Sequence, residues 1–178
     1  MTAVERTGVR IRRMGDADPP VMSAGFASIG WSRSKPMSRF VEYLHEQSEG
    51  RREVLVAVVG SDFAGYVTVT WESRYPPFAA GGVPEVQDLN VLPLFRGRGI
   101  ATRLVDEAEQ VAAKRSAVVG IGVGLHPGYN VAQRMYVKRG YIPDGRGVTF
   151  RGAFVQEGQP VVMDDDLVLH LVRKVEVS

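Results

Sequence analysis

The alternation of apolar and polar residues divides the chain into strands before any motif is considered. Apolar or alternating runs predict β-strands at residues 9–12, 53–59, 63–71, 85–94, 117–125 and 166–175. The second and third of these runs are separated only by a Gly-Ser-Asp turn, which predicts an antiparallel hairpin. In the last run, alternation puts Leu167, Leu169 and Leu171 on one side of the strand.

Apolar residues at helical spacing predict the helices. One repeat covers residues 37–44, with start signals at Ser34 and Pro36, and a second covers residues 100–115. A short helix is expected at residues 131–139, and Asp16 or Asp18 is expected to cap a helix near the amino terminus. The core-facing residues of the two longer helices are expected to be Met37, Phe40, Val41, Leu44, Ile100, Leu104, Ala108 and Val111.

The connections complete a prediction of fold class. Residues 72–84 are rich in Pro and Gly and predict a flexible loop, and residues 141–165 predict turns with a hairpin around 149–155. The strand–helix–strand unit over residues 85–125 predicts a parallel, right-handed crossover. The order of elements indicates one α/β domain over residues 1–178, with a twisted mixed sheet and helices on both faces.

Composition narrows the classes of function. Net charge is only +2, and Lys and Arg are scattered, which argues against a nucleic-acid partner; no segment approaches a membrane span, so no membrane partner is expected. The absence of cysteine removes disulfides and thiolate chemistry and fits a cytoplasmic protein. His45, His126 and His170 are isolated from one another, so no metal site is expected.

Candidate chemistry begins at Arg96-Gly97-Arg98-Gly99, which lies between a strand and an amphipathic helix. A helix start has backbone N–H groups without partners, and glycines let such groups converge on an anion, usually a phosphate. A dinucleotide fingerprint fails because residue 102 is Thr and the next strand has no acid. The P-loop pattern is absent as well.

Two motifs in the correct order resemble one known family. Residues 96–101 fit the [RQ]xxGx[GA] signature of the GNAT superfamily of acyl-CoA-dependent N-acyltransferases, and the preceding DLNVLPLF resembles the strand that enters it. Residues 132–141 resemble the family's AxxLYxKxGF helix. The order of elements agrees along nearly the whole chain, with one departure: Tyr129 takes the place of a frequent Asn, and Asn130 follows it.

This resemblance implies a GNAT-like, mostly antiparallel sheet and acetyl-CoA as cosubstrate, without a metal. The glycine loop would hold the pyrophosphate, and the backbone of the strand before it would pair with the pantetheine arm. The pantetheine arm would lie in a cleft between this strand and the strand that follows the helix. The glycines of GIGVG, residues 120–124, either keep the second edge of this cleft narrow or allow close packing against a helix. The implied cofactor-binding residues are Leu89, Asn90, Val91, Arg96, Gly97, Arg98, Gly99, Ile100, Ala101, Thr102 and Asn130.

The resemblance also implies catalytic roles. Tyr136 matches the family's general acid for the departing thiolate, and backbone N–H near Val91 would stabilise the oxyanion. Glu85 opens the strand where some members carry a catalytic glutamate, and it is the expected base for the acceptor amine. Asp88 on the opposite face, or water, is the alternative base.

The acceptor site is expected from the variable segments 16–48, 72–84 and 143–165. Phe26, Trp31, Tyr75 and Phe78 would line it or belong to the core, and Asp164-Asp165-Asp166 would attract a cation or form a charged turn. The implied function is N-acetylation of a primary amine, with a small-molecule acceptor favoured over a protein. A non-catalytic acyl-CoA sensor is the alternative. Another acyl group and a homodimer are left open.

Overall fold

A computed structural model describes residues 8–177. Within them the chain forms two compact units, residues 8–70 with 88–111, and residues 71–87 with 112–177. The strands are β1 (Val9–Arg13), β2 (Arg52–Val59), β3 (Asp62–Thr70), β4 (Glu85–Val91), β5 (Val118–Gly124), β6 (Ile142–Phe150), β7 (Ala153–Phe154) and β8 (Leu167–Lys174). The helices are α1 (Asp18–Ala27), α2 (Met37–Ser48), α3 (Pro76–Gly81), α4 (Ile100–Ala113) and α5 (Asn130–Lys138).

The first unit is built on β1, β2, β3 and the last four residues of β4, which are neighbours in that order. The pairs β1–β2 and β2–β3 are antiparallel, so the predicted hairpin is confirmed. Every residue of β3 after Asp62 is buried, because both faces of this strand are covered. Phe26 of α1 is fully buried at the centre of an aromatic core, with ring centroids 6.0 Å from Phe40 and 5.7 Å from Tyr66.

Two predictions for the first unit are wrong in detail. Helix α2 buries Phe40, Tyr43 and Gln47, whereas Met37 and Val41 are about half exposed. Gln47 can replace an apolar residue because its amide bonds the backbone of neighbouring segments on both sides. Neither Asp16 nor Asp18 caps α1: no side chain does, and the Asp18 carboxylate accepts from the Gly15 N–H and pairs with Arg12.

The second unit contains the first three residues of β4, followed by β5, β8, β6 and β7 as successive neighbours. β4 and β5 are parallel, as predicted for the crossover, and the β5–β8, β6–β8 and β6–β7 pairs are antiparallel. The β6–β7 pair confirms the hairpin expected around residues 149–155. The fold is therefore the predicted α/β class with a mixed, mostly antiparallel sheet. No helix within residues 8–177 has the length and apolar character needed to cross a bilayer.

The second unit also departs from the predictions in two places. The segment expected to be a flexible loop contains α3, whose Phe78 is buried against the face of Gly120. A Cβ at position 120 would lie 2.3 Å from that ring, so the glycine permits this packing. In β8 the simple alternation fails, because Leu167 and Leu171 are buried but Leu169 is only partly so, while His170 is buried on the opposite face.

Candidate active site

The glycine loop before α4 is open to solvent. Gly97 and Gly99 have φ of 74° and 75°, a region that L residues other than glycine rarely adopt. Residues 96–99 are exposed, and nothing lies within 4 Å of the Cβ positions of the two glycines. Because α4 is 14 residues long, its first N–H groups and its dipole make this loop fit an anion such as pyrophosphate.

The two arginines of the loop have different contacts. Arg96 Nε donates to the Val91 carbonyl at 3.0 Å, so it braces the end of β4. The Arg98 guanidinium lies 5.5 Å from the ring centroid of Phe95. Farther along, Thr102 is exposed, Ala101 is half-buried, and Ile100 is buried and anchors the first turn of α4.

β4 contains a left-handed residue immediately before the predicted pantetheine-binding positions. Asp88 has φ of 56°, which bends the strand ahead of Leu89, Asn90 and Val91. These three residues are half-buried. β3 approaches the bend closely at Gly65, where an added Cβ would lie 2.4 Å from the Asn90 carbonyl oxygen. The positive φ of Asp88 and the close contact of Gly65 with Asn90 therefore both constrain the backbone of residues 89–91.

The Asp88 carboxylate is surrounded by donors within the first unit. Lys35 and the Tyr66 hydroxyl form short hydrogen bonds to it, and Tyr43 and Asn90 donate to it at 3.0 Å. Burial favours a raised pKa for Asp88, but the charge and hydrogen bond of Lys35, with the tyrosine hydroxyls, outweigh burial and lower its pKa. Burial, with the Asp88 charge, raises the pKa of Tyr43 to about 12. Such a fully engaged anion is poorly suited to act as a base.

Glu85 lies in the second unit, at the start of β4, and is 5% exposed. Its carboxylate accepts hydrogen bonds from Ser73 Oγ at 2.6 Å and from Gln87 Nε2 at 2.8 Å. Ser73 Oγ in turn accepts from the Tyr75 N–H at 3.0 Å. The carboxylate is therefore oriented by neighbours, as a general base must be.

His170, which the sequence did not indicate as a candidate, lies near Glu85 in the second unit. Its ring stacks on Tyr75 with centroids 3.5 Å apart, and Phe78 packs edge-on at 5.6 Å. Burial lowers the pKa of His170, although Asp144 acts in the opposite direction. Tyr75 donates its hydroxyl to Asp144 at 2.6 Å. A signal was present, since histidine is the one polar residue in the apolar run LVLHLV.

Large side chains pack directly on the backbone of the β5 glycines. Cβ atoms at Gly120 and Gly124 would collide with Phe78 and with Tyr129. A Cβ at Gly122 would lie 2.9 Å from Val168. Close packing therefore accounts for these glycines within the second unit.

Tyr136 and Asn130 lie on α5, also in the second unit. Tyr136 is 5% exposed, with its ring centroid 5.8 Å from that of Tyr141, and burial raises its pKa above the usual 10. Asn130 is the exposed first residue of the helix. Gln133 ties the helix to β5 by donating to the Gly124 carbonyl at 2.8 Å.

The remaining predicted acceptor residues divide between core and surface. Phe26, Tyr75 and Phe78 are buried, whereas Trp31 is 39% exposed. The acidic turn has local partners: Asp165 pairs with His126 at 2.7 Å, and Asp164 accepts from the Asp166 N–H. Among residues 8–177, no group of three His, Cys, Asp or Glu residues is placed to hold a metal ion.

Known proteins resemble this chain in sequence and in fold. An uncharacterised N-acetyltransferase from Archaeoglobus fulgidus is 28% identical over 97 residues, which are 53% of this chain and 63% of that protein. A GNAT-family structure from Desulfovibrio desulfuricans has a TM-score of 0.70 at 16% identity, covering 93% of this chain and 98% of the other. A Salmonella typhimurium structure with its cofactor acetyl-CoA has a TM-score of 0.66 at 17% identity, covering 94% of each chain.

The structural likenesses establish the fold, and the sequence match extends over most of the chain. The family described as "Acetyltransferase (GNAT) family" matches residues 25–141, from within α1 to just beyond α5. That range includes the glycine loop, Glu85 and Tyr136. The chain therefore belongs to the acetyltransferase (GNAT) family.

Proposed function

We propose that this protein is a single-domain N-acetyltransferase that transfers the acetyl group of acetyl-CoA to a primary amine of a small molecule. The observation that carries the proposal is the open loop of Gly97 and Gly99 at the start of α4, at the position of the family signature. Acetyl-CoA supplies an acyl group activated as a thioester. The roles that follow are those of the chain's own residues.

The glycine loop and the bend in β4 would hold the cosubstrate. Backbone N–H groups between Arg96 and Thr102 suit the pyrophosphate, and Arg98 adds positive charge at the surface. Backbone groups of Leu89, Asn90 and Val91 suit the amides of the pantetheine arm. The Asn90 side chain is already bonded to Asp88, so its contribution would come from the backbone. Asn130, exposed at the start of α5, is a further candidate contact.

Glu85 would accept the proton that the amine must lose. An amine with a lysine-like pKa of about 10.4 is almost entirely ammonium at neutral pH and has no lone pair for attack. The buried carboxylate, oriented by Ser73 and Gln87, is ready to accept that proton directly or through water. Backbone N–H near Val91 would stabilise the oxyanion of the attacked carbonyl. Tyr136, kept protonated by burial, would donate to the departing thiolate.

An acceptor screen that follows release of the CoA thiol tests the proposal. Purified protein with acetyl-CoA would be offered monoamines, polyamines, amino acids and peptides with a free amino terminus. We expect thiol release to depend on one chemical class of amine, and the mass of the product to rise by one acetyl group. Tight acetyl-CoA binding with no turnover on any amine would instead indicate an acyl-CoA sensor.

A further inference from the structure

Glu85 and His170 lie on one face of three adjacent strands in the second unit. Glu85 of β4 is opposite Gly120 of β5, and His170 of β8 is opposite Gly122 of the same strand. Alternate residues of a strand share a face, so the carboxylate and the imidazole project from the same side. The two β5 residues that face Glu85 and His170 on this side of the sheet are both glycine. No β5 side chain therefore separates the acid from the imidazole.

The distances at Gly122 bring the two groups together. A Cβ built there would be 3.6 Å from Oε1 of Glu85 and 3.6 Å from Nε2 of His170. The two atoms are thus at most twice 3.6 Å apart, a span that one or two water molecules can bridge, and Cγ1 of Val168 packs beside them, 2.9 Å from the same point. Nε2 is the nearest ring atom to this point, so the imidazole presents a nitrogen, and not a carbon, to the face of Gly122 beside Glu85.

The surroundings of His170 leave the tautomer of its imidazole unfixed. The residue is 7% exposed, and its Nδ1 is buried without a hydrogen-bond partner in the described part of the chain. The titratable groups facing the ring are Glu85 from β4, Tyr75 from the segment before α3, and Asp144 from β6. Burial lowers the pKa of the imidazole, which leaves it neutral at pH 7. A core histidine would be expected to have both nitrogens bonded.

We propose that His170 is a proton-relay partner of Glu85, taking up the proton that the acceptor amine delivers to the carboxylate. This inference rests on the proposed function. The imidazole can take this role because it is neutral at pH 7 and because an ordinary imidazole is a stronger base than an ordinary carboxylate. Tyr75, stacked on the ring and bonded to Asp144, fixes its orientation.

The ammonium of the acceptor loses one proton to Glu85, and this proton passes to Nε2 of His170. The neutral nitrogen then bonds to the thioester carbonyl carbon as the C–S bond breaks, and the sulfur leaves as thiolate. The thiolate gains a proton from Tyr136, the second proton lost by the nitrogen restores the Tyr136 hydroxyl, and His170 returns its proton to solvent. One proton is released per amide formed.

The pH dependence of kcat/KM tests the relay once an acceptor is known. In the wild-type protein the rate should fall as pH drops through the pKa of His170, because imidazolium cannot accept a proton. His170→Gln should lower the plateau by about tenfold to a hundredfold and remove the acid limb that His170 causes. His45→Gln, an exposed histidine of α2, is the control and should change neither. An acid limb that stays in place in His170→Gln overturns the proposal.

A measurement without turnover covers the case in which His170→Gln folds poorly. The chain has only three histidines, so NMR of labelled imidazoles resolves His170 by comparison with His45→Gln and His126→Gln variants. Glu85→Gln removes a neighbouring negative charge and should shift the His170 titration to lower pH. An unchanged titration overturns the coupling. If no amine is acetylated but this shift is seen, the proposed function fails; if acetylation occurs without the shift, only the relay fails.

Discussion

Tyr136 combines a buried ring with a raised pKa, which suits a hydroxyl that donates and is then reprotonated. Tyr136→Phe removes only the oxygen, so the contact with Tyr141 should survive. We expect kcat to fall about a hundredfold, the lower end for losing a positioned acid. The dissociation constant of acetyl-CoA should stay within about twofold.

Tyr141→Phe is the matched control for this variant. It removes a hydroxyl from the neighbouring ring, at a position where the family motif itself has Phe, and it should retain turnover. Steady-state kinetics and calorimetry on both variants give the comparison. Full turnover in Tyr136→Phe would make Tyr136 a packing residue, with the thiolate protonated by water.

Asp88 tests whether a strained backbone and a buried charge contribute separately to stability. Asp88→Ala leaves Lys35 without its carboxylate and puts an unfavourable residue at φ of 56°, so it should lose about 3 kcal/mol of unfolding free energy. Asp88→Gly loses the same contacts but accepts the conformation, and should be about 1 kcal/mol more stable than the alanine variant. Urea unfolding measures both values.

Substitution of Lys35 tests the same Lys35–Asp88 ion pair from its positive partner. Lys35→Met leaves the Asp88 charge uncompensated and should lower the free energy of unfolding. Combining it with Asp88→Asn should recover part of that free energy, because no unpaired charge then remains buried.

The pKa of Asp88 is lowered in the folded protein, so its ionised carboxylate stabilises the fold above about pH 4, and this stabilisation is lost as the pH falls further. Equal stability of the Gly and Ala variants would show that the backbone at this position is not strained.

Individual residues differed in how far the sequence could predict them. Glu85 was selected through the family resemblance, because it opens a strand where some members carry a catalytic glutamate, and the structure adds that Ser73 and Gln87 donate hydrogen bonds to it. His170 stood out only as the one polar residue of an apolar run. Its partners could not be predicted, because they come from segments up to about a hundred residues away and depend on the register of β5 with β8.

At the scale of elements, the glycine loop makes the sharpest prediction. Gly99→Glu places bulk, negative charge and an unfavourable φ where pyrophosphate is expected. Acetyl-CoA affinity should fall at least about a hundredfold, or roughly 3 kcal/mol. Calorimetry measures the loss, and wild-type affinity in this variant would remove the loop from the binding site.

Gly60→Glu is the control for backbone strain. Gly60 also has a positive φ, in the turn between β2 and β3 of the same unit, and nothing lies within 4 Å of its Cβ position. The variant should lose about 1–2 kcal/mol of stability while binding acetyl-CoA normally. A parallel loss of binding would mean that strain, and not occupation of the phosphate site, weakens Gly99→Glu.

Elements with strong hydrophobic periodicity were predictable, and those decided by tertiary contacts were not. Strands β2 and β5 and helix α4 lie close to their expected bounds, because their runs are long and apolar. Helix α3 was predicted as a loop, since Pro and Gly dominate its segment. The helix packs through Phe78, whose ring lies directly on Gly120 of β5. Local composition does not reveal this contact.

At the scale of the whole molecule, the predicted class follows from the order of elements. A hairpin, a strand–helix–strand crossover and a late hairpin require both antiparallel and parallel pairs, and both kinds are present. The family match adds the chemistry, which the order of elements alone could not supply.

The division into two compact units makes the two tryptophans independent spectroscopic reporters. Trp31 belongs to the first unit and Trp71 to the second, where its indole lies 4.1 Å from the Arg115 guanidinium. In Trp31→Phe and Trp71→Phe variants, the fluorescence of the remaining indole follows one unit alone during urea unfolding. A chain that folds cooperatively as one domain should give coincident midpoints from the two variants, whereas separate midpoints would mean that cooperativity is interrupted within β4.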